Sequence, residues 1–144
     1  MTGAALTEVG RFTKREGIDL RVPARPEHLA LVRLVAAGVA SQEDFDLDAI
    51  ADVRLAVDEA VSALMCNAVA AATVHCRFRH QPDGLHMALS SVTRRGGEPD
   101  EHGFGWHVLN SLMHSVTSTS EPGPSGQDRI VRIELTKLGG FRTA

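Results

Sequence analysis

Asp46-Leu47-Asp48-Ala49-Ile50-Ala51-Asp52-Val53-Arg54-Leu55-Ala56-Val57-Asp58-Glu59-Ala60-Val61-Ser62-Ala63-Leu64-Met65-Cys66-Asn67-Ala68-Val69 is the stretch on which the fold turns. Ile50, Val53, Val57, Val61, Leu64, Met65 and Ala68 recur at helical spacing and make one apolar stripe. Asp46 and Asp48 stand where a helix N-terminus favours negative charge, and either can cap it. The alanines raise helix propensity. The pattern predicts one long helix over residues 46–72, packed against a sheet. Asp58-Glu59 interrupts it with two adjacent carboxylates halfway along. Burying unpaired carboxylates is costly, so one reading leaves both at the solvent edge of the stripe. The sharper reading points Glu59 into a cleft.

On either side of this helix the chain alternates. Ile18-Asp19-Leu20-Arg21-Val22 is a short strand ended by Pro23. Pro26 suits a first helical turn, and Leu29, Val32, Val35, Ala36 and Val39 give that helix its apolar face. After the long helix, Val74, Cys76 and Phe78 alternate with His75, Arg77 and Arg79. Gln81-Pro82-Asp83-Gly84 is a turn, because proline presets one dihedral and glycine accepts positive φ. Leu85 to Val92 returns as the partner strand of a hairpin. Residues 93–103 are polar, with two arginines and three glycines, and form a long loop of the kind that often binds ligands. Trp106 or Val108, Leu109, Leu112, Met113 and Val116 mark a third helix. Ser115 to Ser120 and Arg129 to Thr136 read as strands.

Strand, helix, helix, strand, strand, helix, strand, strand is the order of an α+β domain. The expected form is a two-layer α/β sandwich, a mostly antiparallel mixed sheet with about three helices on one face. The expected domain covers residues 18–138, between tails at 1–17 and 139–144. The 144 residues suffice for one core. A net charge of -3 carries no electrostatic footprint for nucleic acid. No apolar run approaches the roughly 20 residues that span a bilayer, and no signal segment opens the chain. Cys66 and Cys76 fall in apolar patterns and read as buried thiols in a reducing cytoplasm. His75, His80 and His86 lack metal-ligand spacing. Trp106 reads as a core or lid aromatic.

Gly103-Phe104-Gly105 stands at the start of the third helix, where unpaired N–H groups and the dipole favour a phosphate. Taken alone, a Gly-x-Gly is usually a turn. Three stretches carry a wider resemblance: Leu20-Arg21-Val22-Pro23-Ala24, Ala56-Val57-Asp58-Glu59-Ala60-Val61-Ser62, and Gly103-Phe104-Gly105-Trp106-His107-Val108-Leu109-Asn110-Ser111-Leu112. Together they resemble the anti-sigma regulatory kinases of the RsbW/SpoIIAB type, which have the GHKL (Bergerat) ATPase fold. Phe-x-Trp-His-Val-Leu resembles a diverged branch of that type.

The resemblance implies an ATP site. Glu59 matches the family's glutamate, used as general base, but the Mg²⁺-holding asparagine four residues on is Ala63 here. Mg²⁺ is therefore not expected at the usual position. Asn67, a further turn along the same stripe, is a substitute candidate. The family's Asp-x-Gly-x-Gly, whose aspartate reads adenine, is replaced by Ser91-Val92-Thr93-Arg94-Arg95-Gly96-Gly97. Gly103 and Gly105 keep the second glycine motif, and Arg94 and Arg95 could hold phosphates directly. Without Mg²⁺ the positioning and the charge neutralisation of phosphoryl transfer fail together. Arg33 matches an arginine that the family presents to partners; read from the residues alone, it is a solvated arginine snorkelling over apolar neighbours.

The expectation is therefore a cytoplasmic anti-sigma factor with a degenerate ATP site. It would bind an alternative sigma factor, answer to an anti-anti-sigma factor and form a homodimer, with no direct nucleic acid contact and no membrane. The first rival is an active ATP-dependent serine kinase acting on an anti-anti-sigma protein. The second is a scaffold that kept the fold and lost both roles.

Overall fold

The computed structural model describes residues 17–139. In chain order it contains β1 (Gly17–Pro23), a 3-10 turn (Pro26–His28), α1 (Leu29–Ala40), α2 (Leu47–Asn67), β2 (Thr73–Gln81), β3 (Gly84–Arg94), α3 (Phe104–Leu112), β4 (Ser115–Pro122) and β5 (Asp128–Leu138). The tails expected at 1–17 and 139–144 lie outside the described residues except for Gly17, which pairs with Arg79, and Gly139, whose N–H bonds the Asp83 carbonyl at 2.7 Å.

The order of strands is β1-β2-β3-β5-β4. All four pairings are antiparallel, a more regular result than the mixed sheet expected. β5 lies between β3 and β4, so those two run parallel to each other, and α3 makes the crossover between them. Val22, Val74, Cys76, Phe78, Leu85, Met87, Leu89, Val131, Ile133 and Leu135 are buried from four strands. Their intervening neighbours form the solvated face that an antiparallel sheet tolerates. The β2–β3 connection is a two-residue turn at Pro82 and Asp83, with Gln81 opposite Gly84.

α2 is the centre of the helical layer and packs against α1, α3, β2, β3 and β5. Val53, Val57, Val61, Leu64 and Met65 are buried along it, together with Ala56 and Ala60, whose small side chains allow close approach. Asp46 caps it: its Oδ1 accepts from the Ala49 N–H at 2.8 Å. Asp46→Ala should lower stability by about 1 kcal/mol, read as a lower urea midpoint with an unchanged slope.

The C-terminus of α2 departs from the expected 46–72. The helix stops at Asn67, and Ala68 is extended and forms a bridge with Thr93. The Val69 N–H then donates to the Val92 carbonyl at 3.0 Å, and Ala71 turns the chain at φ 64°. Alanine-rich propensity yields here to pairing with the end of β3. Cys66 is a second correction. It is exposed, because one residue past Met65 a helix has rotated it off the stripe. Cys76 is buried as expected, and burial pushes its thiol up to about 12, so it stays protonated.

α3 is fixed to this frame by Lys137 on β5. Its Nζ donates to Asp52 Oδ2 (3.0 Å) and to the Leu112 carbonyl (2.8 Å) at the end of α3, where a helix favours a cation. Leu109 and Met113 are buried beneath α3, and Trp106 and Leu112 pack partly against the core. No described helix is long and apolar enough to cross a membrane.

Candidate functional site

The middle of α2 faces the first turn of α3. Gly103 is the N-cap of α3, and no side chain caps that end. The Glu59 carboxylate lies directly against Gly105, so closely that a Cβ on Gly105 would collide with Oε2. Glycine is required there because the carboxylate occupies the space of a side chain. Glu59 is therefore at the mouth of the diglycine turn and not on the far side of the helix. Asp58, its neighbour, points instead toward α1.

A second carboxylate, not foreseen, stands beside the same turn. Asp100 Oδ1 accepts from the His102 N–H (3.0 Å), and its carbonyl accepts from the Gly103 N–H (2.9 Å). Its Oδ2 lies 3.2 Å from where a Cβ on Gly103 would be. Two acids thus adjoin the positive end of α3, where each is favoured electrostatically.

Two turns beyond Glu59, Asn67 uses its amide inside the chain. Its Nδ2 donates to the Ala63 carbonyl (3.1 Å) and its Oδ1 accepts from Arg94 Nη2 (2.6 Å). Gly97 is buried beside this pair; a Cβ there would come within 3.0 Å of Asn67 Cβ and of Thr93 Cβ. Thr93 is fully buried. Arg95 is exposed.

Beyond Gly97 the loop is held on the sheet edge. Ser120 Oγ donates to Glu98 Oε2 (3.1 Å), Arg129 Nε donates to Ser120 Oγ (2.9 Å) and lies 3.6 Å from the same Glu98 oxygen. Ser118 Oγ donates to Glu101 Oε2 at 3.4 Å. The Glu98 carboxyl is held below the ordinary carboxylate range by its own backbone N–H, then by Ser120 and Arg129. The loop contact is accordingly complete above that range and lost as pH falls through the depressed value.

Ala63 offers no ligand for Mg²⁺, and Asn67 is engaged by Arg94 and Ala63. With Glu59 and Asp100 flanking the diglycine turn, this arrangement does not fit a magnesium-held triphosphate: Arg94 is bonded to the Asn67 amide and two carboxylates stand at the turn. A hollow of about 860 Å³ lies at the other end of α2, lined by Asp46, Asp52, His114 and Lys137 among others, away from these groups.

Arg33 lies elsewhere. Its Nε is 3.3 Å from Asp58 Oδ1 across the α1–α2 groove. The contact is an ion pair without hydrogen-bond geometry, since Asp58 Oδ1 is buried with no hydrogen-bond partner among the described residues. A hollow of about 400 Å³ surrounds it, lined by Ala30, Leu34, Ala37, Arg54 and Leu55 besides the pair. Leu34 is 70% exposed and Leu55 50%, an apolar patch that nothing among the described residues covers. Sequence periodicity places Leu31 and Leu34 off the core face of α1, and that was the available signal for this patch. Glu98 carried none, because its partners Ser120 and Arg129 are distant in sequence, whereas Asp100 bonds His102 and Gly103 within a local turn.

Residues 22–133 match the family model described as Histidine kinase-like ATPase domain. An Anti-sigma-F factor RsbW from Mycobacterium tuberculosis is 34% identical over 116 residues, spanning 81% of this chain and 69% of the relative. A Serine-protein kinase RsbW from Bacillus cereus is 27% identical over 128 residues, spanning 75% of this chain and 80% of the relative. In the crystal structure of the SiaB-SiaC complex from Pseudomonas aeruginosa, one chain shares the fold at a TM-score of 0.70. That likeness, at 12% identity, covers 92% of this chain and 96% of that one.

Proposed function

The chain belongs to the histidine kinase-like ATPase domain family, in its RsbW group, and from that premise we propose that it is an anti-sigma factor. It binds an alternative sigma factor and keeps it from RNA polymerase by covering its surface. The observation that carries this reading is the 34% identity to a relative named as an anti-sigma factor, sustained over 81% of the chain. The α1–α2 groove supports it as the docking surface. Exposed Leu34 and Leu55 supply apolar area, and Arg33, Arg54 and the Asp58 oxygen that has no hydrogen-bond partner supply polar direction. An anti-anti-sigma protein relieves the complex. The protein works in the cytoplasm, where RNA polymerase is, and acts as a homodimer, for which the edge of β1, unpaired among the described residues, is a candidate surface.

The test is co-purification with each alternative sigma factor of the host, without nucleotide. Capture of one of them is the expected result; failure with all of them removes the reading.

A second reading has its own observation. Glu59 lies at the diglycine turn, where a general base for phosphoryl transfer would stand, and one relative is named a serine kinase. In that reading Glu59 would activate a serine hydroxyl of the anti-anti-sigma partner, and Gly103, Gly105, Arg94, Arg95 and Asn67 would meet the phosphates of ATP only after the Asn67–Arg94 bond is broken. Incubation with labelled ATP and candidate partners decides it. Transfer that Glu59→Ala abolishes supports the kinase; transfer that Glu59→Ala leaves intact refutes the role of Glu59.

A further inference from the structure

The solvated face of the sheet, opposite the helices, holds a hollow of about 230 Å³ over Ala88 and Ser90 of β3. Strand register brings its walls together. On β2, His75 stands across from Ser90 and Arg77 across from Ala88; on β5, Arg132 and Glu134 face the same two residues. Arg79 and His86, paired with each other, close one end. Alternation turns all of these side chains away from the core, with small ones as the floor and long ones as the rim. The acids of this face are already engaged. His75 Nε2 donates to Asp19 Oδ1 at 2.8 Å, and Arg77 Nε lies 3.1 Å from the same oxygen. His86 Nε2 donates to Glu134 Oε1 at 2.9 Å. Arg132 makes no ion pair, and the Ser90 hydroxyl no hydrogen bond, among the described residues. The lining thus sets three arginines against one carboxylate, in a chain whose net charge is -3. Like charges gathered on neighbouring strands repel, and an anion in the hollow removes that cost.

We propose that this hollow binds the phosphoryl group of a small anion, held between Arg77 and Arg132 with the Ser90 hydroxyl beneath it. Neighbouring strands lie about 4.8 Å apart, so donors from β2, β3 and β5 reach one point from three sides. A tetrahedral phosphoryl group meets donors in that arrangement, whereas a planar carboxylate is served along one edge by a single guanidinium fork. The volume lies below the roughly 300–1,000 Å³ of pockets that enclose larger ligands, so phosphate or pyrophosphate fits whole and a nucleotide does not. A nucleic acid strand fits poorly as well, because no Phe or Trp lines the hollow for a base to stack on. The site stands apart from both readings of function above, since the sheet separates it from α1, α2 and the diglycine turn.

Calorimetry and amide-resolved NMR with inorganic pyrophosphate test the site in the full chain. Pyrophosphate is expected to bind with a Kd below about 1 mM at low salt, more weakly as salt rises, and to shift the amides of His75, Ser90 and Arg132. Arg132→Ala, on an exposed side chain with matching melting temperature as the check on folding, weakens binding about tenfold or more. Glu134→Gln keeps an acceptor for His86 and removes the carboxylate from the lining, so it tightens binding about threefold. Arg25→Ala removes the same charge elsewhere on the surface and stays within about twofold of the intact protein. A Kd above about 10 mM overturns the proposal. So do shifts confined to residues 103–106, which place the anion at the start of α3, or equal losses in Arg132→Ala and Arg25→Ala, which leave only net charge. Glycerol 3-phosphate run beside pyrophosphate separates the sources of the group. Tighter pyrophosphate gives a free anion as the ligand, tighter glycerol 3-phosphate gives a phosphate ester, and both support a phosphoryl site.

Discussion

Phe78→Ala is expected to lower stability by about 3–5 kcal/mol, the largest effect of any single truncation proposed for this chain. Phe78 is fully buried on β2, with Ile18 of β1 and Met87 of β3 as its partners in register. The sheet backbone is bonded on both sides of it, so the strands cannot move in to fill the space. Above it the helical layer is centred on α2, whose alanines already bring that helix close. A cavity left there stays largely open, and the cavity cost adds to the lost transfer energy. Since domains of this size are stable by about 5–15 kcal/mol, the variant should lose a large share of its margin. Urea unfolding measures it directly. A loss below about 1 kcal/mol would mean that the β2 face is not the floor of the core and that the register is wrong.

Phe78 also shows what a sequence can disclose. Its burial follows from alternation with Cys76 and Val74, and α2 follows from its 3.6-residue stripe and the Asp46 cap, because each of these is a local rule. The end of α2 breaks a local rule. Residues 68–72 are good helix formers, yet the bridge from Ala68 to Thr93 takes them out of the helix. The candidate site divides the same way. Glu59, Gly103 and Gly105 could be singled out from motif spacing, and the structure brings Glu59 and Gly105 into contact. Arg94 and Asn67 could be named, but their bond to each other spans 27 residues and has no local trace. The Glu98–Ser120 contact spans 22 residues. Such pairs become visible only once the β3–β5–β4 order has brought the sheet edge beneath the loop, and alternation alone does not dictate that order.

Leu34→Glu should weaken capture of the sigma factor about 30-fold or more while leaving stability within about 0.5 kcal/mol. The two halves of this expectation have one cause. Leu34 is 70% exposed, so the chain gains little from it in isolation, and a carboxylate there meets water. In the proposed complex the partner would cover the same position, and an unpaired charge in that desolvated patch is costly. The neighbouring ion pair sharpens the comparison. Arg33→Ala leaves Asp58 without its cation while one of that acid's oxygens is already without a hydrogen-bond partner, so it should weaken capture more than Arg25→Ala, whose partner Glu27 is exposed. Phe104, 83% exposed beside the diglycine turn, is the decisive control. Among the described residues it is the largest exposed apolar side chain outside the groove, and a partner that docks over the turn would bury it. Capture that survives Leu34→Glu and fails with Phe104→Ala would move the docking surface from the α1–α2 groove to the diglycine turn. The reverse result keeps the docking surface on the α1–α2 groove, apart from the diglycine turn.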